Sequence, residues 1–224
     1  MSRRRQFLAA LLLGVTAACG TTSPQQTAPE RVDALVTWIE RVHVEADRGK
    51  LALADSFERL NAVAAGKLGK DAVMAAFARF VQSIDAAESQ SKRFGETVGP
   101  MQEAARPVFQ QWEADVATIG SERLQKLGAT RLAIAKERYA AIVAAAVPAQ
   151  QQMAEYVKTL RDHAAFLAHD LNPSSIAAIQ GEVKALAKTA QSLDRGLDTC
   201  LNAARAYVEQ SSLPAAPPAG ASGR

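Results

Sequence analysis

Residues 176–207 read IAAIQGEVKALAKTAQSLDRGLDTCLNAARAY, and this stretch decides the fold. Its apolar positions fall at Ile176, Ile179, Val183, Leu186, Ala190, Leu193, Leu197, Cys200, Ala204 and Tyr207. The steps alternate three and four residues, the spacing that keeps one seam of an α-helix facing a partner helix. A half-buried strand would alternate every second residue, and no part of the chain alternates β-branched residues in that way. The stretch is therefore a long helix whose narrow apolar face needs other helices to cover it.

Upstream lies Leu171-Asn172-Pro173-Ser174. Asn172 is a good N-cap, and Pro173 suits the first helical position, where a missing N–H has no partner to lose. Before this turn a third helix is expected from about Glu122 to Leu171, with apolar positions at Leu124, Leu127, Leu132, Tyr139, Ile142, Ala146, Met153, Leu160 and Leu167 and a bend at Pro148. Gly120-Ser121 separates it from a second helix, and Ser121 is placed to cap the third. The second starts near Asp71 and carries the seam Phe77, Phe80, Ile84, Ala87, Ser91, Phe94, Val98, Met101, Ala105, Val108, Trp112. Kinks are expected at Pro100 and Pro107. Gly66 to Gly69 breaks it from a first helix of about Arg31 to Ala65, with the seam Val32, Leu35, Ile39, Val42, Ala46, Gly49, Leu53, Ser56, Leu60, Val63.

Short turns make consecutive helices antiparallel neighbours. The expected fold is all-α: an elongated antiparallel four-helix bundle, or coiled coil, over residues 31–212 with a long central hairpin. Aromatic residues make up only 5% of the chain, which favours long, thinly packed seams over a broad core. Helices two and three are longer than the other two, so their hairpin should project at one end. Its tip, from about Pro107 to Ala133, carries Phe109, Trp112, Val116, Ile119, Leu124 and Leu127. The favoured reading is that these side chains cover one another. The alternative is a contact surface, and Phe109, Trp112 and Ile119 are the interaction candidates it supplies.

The chain begins Met1-Ser-Arg-Arg-Arg, continues through an apolar run from Phe7 to Ala18, and reaches Cys19-Gly20 behind two alanines. That pattern is an export signal, expected over residues 1–18. The apolar run is about a dozen residues, short of the ~20 that span a bilayer. A cysteine behind small residues is the acceptor of a bacterial lipoprotein signal, so Cys19 is the expected lipidation site and the membrane is expected to be held through that lipid. Arg4-Arg5-Gln6-Phe7-Leu8 also fits twin-arginine export, and both routes stay open. Gly20, not Asp, follows the cysteine, which points to the outer membrane and its periplasmic face. Residues 19–30 form the lipidated N-terminus and a polar linker of at most ~35 Å. Residues 213–224, Pro/Ala/Gly-rich, are expected to be a disordered tail.

Removing the signal takes Arg3, Arg4 and Arg5 from the 26 basic residues and leaves them equal to the 23 acidic ones. A neutral chain without a clustered basic face gives no support to nucleic-acid binding. With Cys19 lipidated, Cys200 has no partner for an intrachain disulfide and reads as a small buried hydrophobe. His43, His163 and His169 show no metal-ligand spacing, so no metal is expected. No nucleophile elbow or phosphate-binding glycine run is present, so no catalytic residue, no cofactor and no enzymatic activity are expected. His169, Asp170, Asn172 and Glu182 gather at the turn before the last helix. They read first as helix-capping groups, and His169 and Asn172 second as a polar recognition spot.

Phe166-Leu167-x-His169-x-Leu171-Asn172 followed by Ile176-x-x-Ile179-x-Gly181-Glu182, together with Phe109-x-x-Trp112-Glu113 and Arg138-Tyr139-x-x-Ile142, resembles an uncharacterised family of bacterial lipoproteins, a domain of unknown function (DUF 2959). The resemblance covers nearly the whole mature chain. It implies a helical lipoprotein domain and supplies no catalytic residues. The expected role is thus structural or protein-interacting: a lipid-anchored periplasmic bundle with an envelope protein partner, self-association through the seams staying open. The alternative is a binding module for an apolar or lipid ligand, with a pocket opened by the bundle or by its kinks at Pro100, Pro107 and Pro148.

Overall fold

The computed structural model describes residues 28–211. The expected signal, Cys19, most of the linker and the tail lie outside the described residues. Four helices run in order: α1 Ala28–Ala64, α2 Lys70–Ala117, α3 Glu122–His169 and α4 Pro173–Ser211. Helix α1 begins three residues earlier than its apolar pattern implied. Pro29 does not prevent this, because first-turn N–H groups have no intrahelical acceptor to lose.

The helices form an antiparallel bundle in which α1 packs on α2 and α4, and α3 packs on α2 and α4. Its core is a continuous stack from all four helices, including Leu35, Ile39, Phe80, Ile84, Phe94, Met101, Ile142, Met153, Leu160, Leu193 and Leu197. The seam of α4 is buried along its length except at Ala190, which is half-buried. In α2, Gln90 takes the buried place that the heptad reading gave to Ser91. Its amide makes the burial tolerable: Nε2 donates to the Glu45 carbonyl oxygen (3.1 Å) and to Glu45 Oε2 (2.5 Å), and Oε1 accepts from Arg93. This polar cluster ties α1 to α2 at that level. One turn along α1 from Glu45, Gly49 lets Met153 in from α3, since a Cβ on Gly49 would lie 2.7 Å from Met153 Cε.

The turns follow local chemistry. After α1, Gly66 adopts a left-handed φ of 66°, and its N–H bonds to the Val63 carbonyl (3.2 Å). Before α4, Asn172 Oδ1 accepts from the backbone N–H groups of Ser174 (2.8 Å) and Ser175 (3.0 Å), a full N-cap ahead of Pro173. Ser121 occupies the corresponding position before α3, with an extended backbone, but its side chain makes no capping bond. The expected cap is therefore absent there. Helices α2 and α3 run unbroken through Pro100, Pro107 and Pro148.

The register also defines the projecting hairpin. Counting seventeen residues along each helix from the Glu45–Gln90 contact brings Ala28 level with Pro107. At the other flank Tyr207 lies close to Tyr139, and α4 ends one turn later at Ser211. Among the described residues, the first three to four turns of α3 thus have only α2 beside them, a projection of about 20 Å. From residue 110 to residue 131 no residue is buried.

Candidate functional site

Three places in this frame carry the residues that could do chemistry or recognition: the hairpin tip, the turn before α4, and a groove between α1 and α4.

In the tip, Phe109 is buried, and its ring tilts against Tyr139 with centroids 5.4 Å apart. Burial pushes the Tyr139 hydroxyl pKa up to about 12. Trp112 is half-buried against the same core. Farther out, Gly128 brings the helices close. A Cβ there would meet Val116 Cγ2 at 3.1 Å and Ile119 Cδ1 at 3.5 Å, so both α2 side chains lie over the α3 backbone. Phe109, Trp112 and Ile119 therefore sit along the inner side of the hairpin. The side chains left open belong to α3: Leu124 is 46% exposed, Leu127 48% and Ile134 39%. Helical spacing sets Arg123, Arg131 and Arg138 among them, all exposed, and puts no acidic residue of α3 in that stripe. The i, i+3, i+7 pattern Leu124, Leu127, Arg131, Ile134, Arg138 is visible in the sequence, but periodicity alone does not say which of two adjacent faces a neighbour covers. On the other flank Lys136 pairs with Glu113 of α2.

At the turn before α4, Asn172 is spent on capping, and its Nδ2 donates to Asp170 Oδ2 (2.5 Å). His169 ends α3 with an exposed side chain. His163 is buried, one turn and a half below. Its Nδ1 lies 2.7 Å from the Thr159 carbonyl and donates to it. Its Nε2 makes no hydrogen bond, and Glu182 Oε2 stands 3.5 Å away, within ion-pair range but without hydrogen-bond geometry. Among the described residues Glu182 and His169 share no bond, and the bonds at this turn are those that close helix ends.

The groove lies between the second half of α1 and the middle of α4 and has a volume of about 330 Å³. Leu53, Phe57, Ala187, Leu193 and Leu197 form its apolar walls, and Tyr156 of α3 contributes from across the core. Lys50, Glu58, Asn61, Gln191 and Asp194 stand around it. Lys50 is engaged with Asp198 and, at 3.3 Å, with Asp194, and the Asp198 contact first and Asp194 second raise its pKa. Tyr156 is 1% exposed, and its hydroxyl has no hydrogen-bond partner among the described residues. A buried hydroxyl without a partner costs about 1–3 kcal/mol. Desolvation holds it well above the usual tyrosine range, so it stays a neutral O–H. The groove does not include Pro100, Pro107 or Pro148; it opens between helices of the bundle and not at the prolines. A second, shallower depression between α2 and α3 is lined mainly by polar side chains such as Glu88, Lys92, Gln150 and Arg161. Arg161 ties the two helices there through Asp85 and Glu88, both at 2.5 Å.

Cys200 is fully buried as a free thiol, and burial pushes its pKa up to about 12, so it is not poised as a nucleophile. Among the described residues no group of three or more His, Cys, Asp or Glu is placed to hold a metal ion, and no helix is long and apolar enough to cross a membrane.

The described residues define an all-helical, four-helix bundle domain. Residues 25–211 match the model of the DUF2959 family, described as a protein of unknown function, and the chain belongs to that family. No curated protein and no solved structure matches it.

Proposed function

We propose that the protein is a lipid-anchored envelope component with a structural or protein-interaction role, held to the membrane through Cys19 and contacting its partner through the hairpin tip. The observation that carries this reading is the α3 stripe of Leu124, Leu127 and Ile134 interleaved with Arg123, Arg131 and Arg138, on a part of the bundle that no third helix among the described residues covers. The tip points to the end where α1 begins at Ala28, nine residues after Cys19. Those residues reach at most ~30 Å, comparable with the ~20 Å projection, so the tip works close to the anchoring surface. A partner matched to the stripe is an envelope protein that presents an apolar strip flanked by carboxylates. Three half-exposed side chains are a thin apolar face beside that of a helix that lies in a bilayer interface, which favours protein over lipid as the contact.

Photo-crosslinkers at Leu127 and Ile134, with Lys184 on α4 as the control, test this in cells. The expected outcome is one discrete protein adduct from the tip positions, absent at Lys184 and lost in Cys19→Ala, which would also release the protein from the membrane fraction. Adducts to lipid alone, or the same adducts from all three positions, count against a protein partner at the tip. Retention of Cys19→Ala in the membrane fraction counts against the anchor.

A further inference from the structure

We propose that the groove between α1 and α4 binds a small uncharged amphiphile, an apolar body with one hydrogen-bond acceptor that pairs with the Tyr156 hydroxyl. The inference is independent of the role of the hairpin tip.

Three observations combine. The walls are apolar, from Leu53, Phe57, Leu193 and Leu197 together with Ala187, and the groove has a volume of about 330 Å³. That volume is at the small end of ligand sites, and at ~30 Å³ per non-hydrogen atom it suits about a dozen atoms. Second, the same groove is lined by Tyr156, whose hydroxyl is sealed and without a partner among the described residues. Buried hydroxyls in proteins are paired as a rule, so this O–H is a donor in want of an acceptor. The hydroxyl is sealed in this structure, so a ligand must displace a wall side chain to reach it.

Third, the surrounding charges select the head group. Among the described residues, the one cation that lines the groove, Lys50, is already shared by Asp194 and Asp198, and Glu58 adds a further carboxylate. An anionic head would face these carboxylates without a free counter-charge. A cationic head would be drawn to Glu58 at the rim, away from the tyrosine. A neutral acceptor such as an amide, ester or ketone carbonyl satisfies both the wall and the floor. The competing account is that the groove merely records the small side chains Ala187 and Ala190 on α4, with nothing to recognise.

Octanamide, octanoate and octylammonium separate these accounts. They share one chain and differ in head charge, and binding is followed at the methyl NMR signals of Ala187 and Ala190 in the whole mature protein. Octanamide is expected to shift both methyls saturably, with octanoate and octylammonium at least tenfold weaker. Tyr156→Phe should weaken octanamide about tenfold, the worth of one buried hydrogen bond, while its melting temperature stays at or above that of the wild type. Ala190→Trp, which fills the groove, should abolish the shifts. Absence of a saturable shift, equal binding of the three probes, or octanamide binding unchanged in Tyr156→Phe overturns the proposal. Because Tyr156→Phe removes one hydroxyl and keeps the ring, it decides the matter even where Ala190→Trp does not fold.

Discussion

The two halves of α3 share one helix and one heptad rhythm, yet they live in different environments. Around Met153, Leu160 and Leu167 the helix has α2 on one side and α4 on the other, and all three side chains are fully buried. Around Leu124 and Leu127 it has only α2, and both side chains are about half exposed. A repeated apolar position is thus a request for burial that only the surrounding helices can grant. With two helices, the small residue Gly128 lets Val116 and Ile119 close the seam, but no other described element covers the flank.

The largest test of this contrast is a matched pair of leucine truncations. Leu160→Ala removes a side chain with 0% exposure from the four-helix core, and large-to-small changes of this kind cost about 2–5 kcal/mol. Leu127→Ala on the tip should change global stability by less than about 0.5 kcal/mol. Urea unfolding followed by circular dichroism measures both. Equal losses would mean that the tip folds as one unit with the core and that its exposed leucines are held more firmly than their surroundings imply.

A smaller and more selective test uses alkaline pH. Cys200 rises from an ordinary 9.0 to about 12 on burial, and Tyr139 rises from 10.0 to about 12. Desolvation raises Tyr156 and Tyr207 as well. Each group is held neutral in the folded state, so its contribution is fully present below the unfolded pKa and is lost as pH climbs towards the folded one. For Cys200 the window is pH 9 to about 12, and linkage gives a loss of about 1 kcal/mol between pH 9 and pH 10. Cys200→Ala should remove that share of the slope and leave the part due to the tyrosines. Residues 110–131 contain no cysteine or tyrosine. Opening of the tip, read by hydrogen exchange corrected for intrinsic rates, should therefore stay flat over the same interval while the core weakens.

These regions also differ in how far the sequence reveals them. The seam of α4 is legible because every turn of it meets another helix, and Ala190 departs from it only where the groove opens. Val32, Leu124 and Leu127 obey the same spacing yet are exposed, since periodicity reports an apolar face and not the presence of a neighbour. Gln90 rather than Ser91 is buried because an amide with partners on Glu45 and Arg93 can go inside, and that pairing joins residues 45 positions apart. The groove is illegible for the same reason: Lys50, Tyr156 and Ala187 come from three helices. Pro100, Pro107 and Pro148 lie inside continuous helices, so none of the three ends a helix.

The finest distinction lies in the two ends of α3, each joined to a neighbour by a short turn. At the core end, Asn172 supplies an oxygen to two backbone donors of α4, at 2.8 and 3.0 Å. At the tip, Ser121 has the right backbone but donates no such help to α3, and only the backbone bond from Gln125 N–H to the Ser121 carbonyl (2.8 Å) closes the first turn. Replacing a working N-cap by alanine costs about 1 kcal/mol, because a first-turn N–H loses its acceptor. Asn172→Ala should therefore lower global stability by about that amount, whereas Ser121→Ala should leave it within a few tenths of a kcal/mol. Installing Asp at position 121 sharpens the comparison further. A carboxylate there adds both a cap acceptor and a favourable charge at the positive helix end, so Ser121→Asp should slow hydrogen exchange in residues 122–126 without moving the global unfolding midpoint. A shift of the global midpoint by Ser121→Asp as large as that of Asn172→Ala would show that the tip and the four-helix core unfold together.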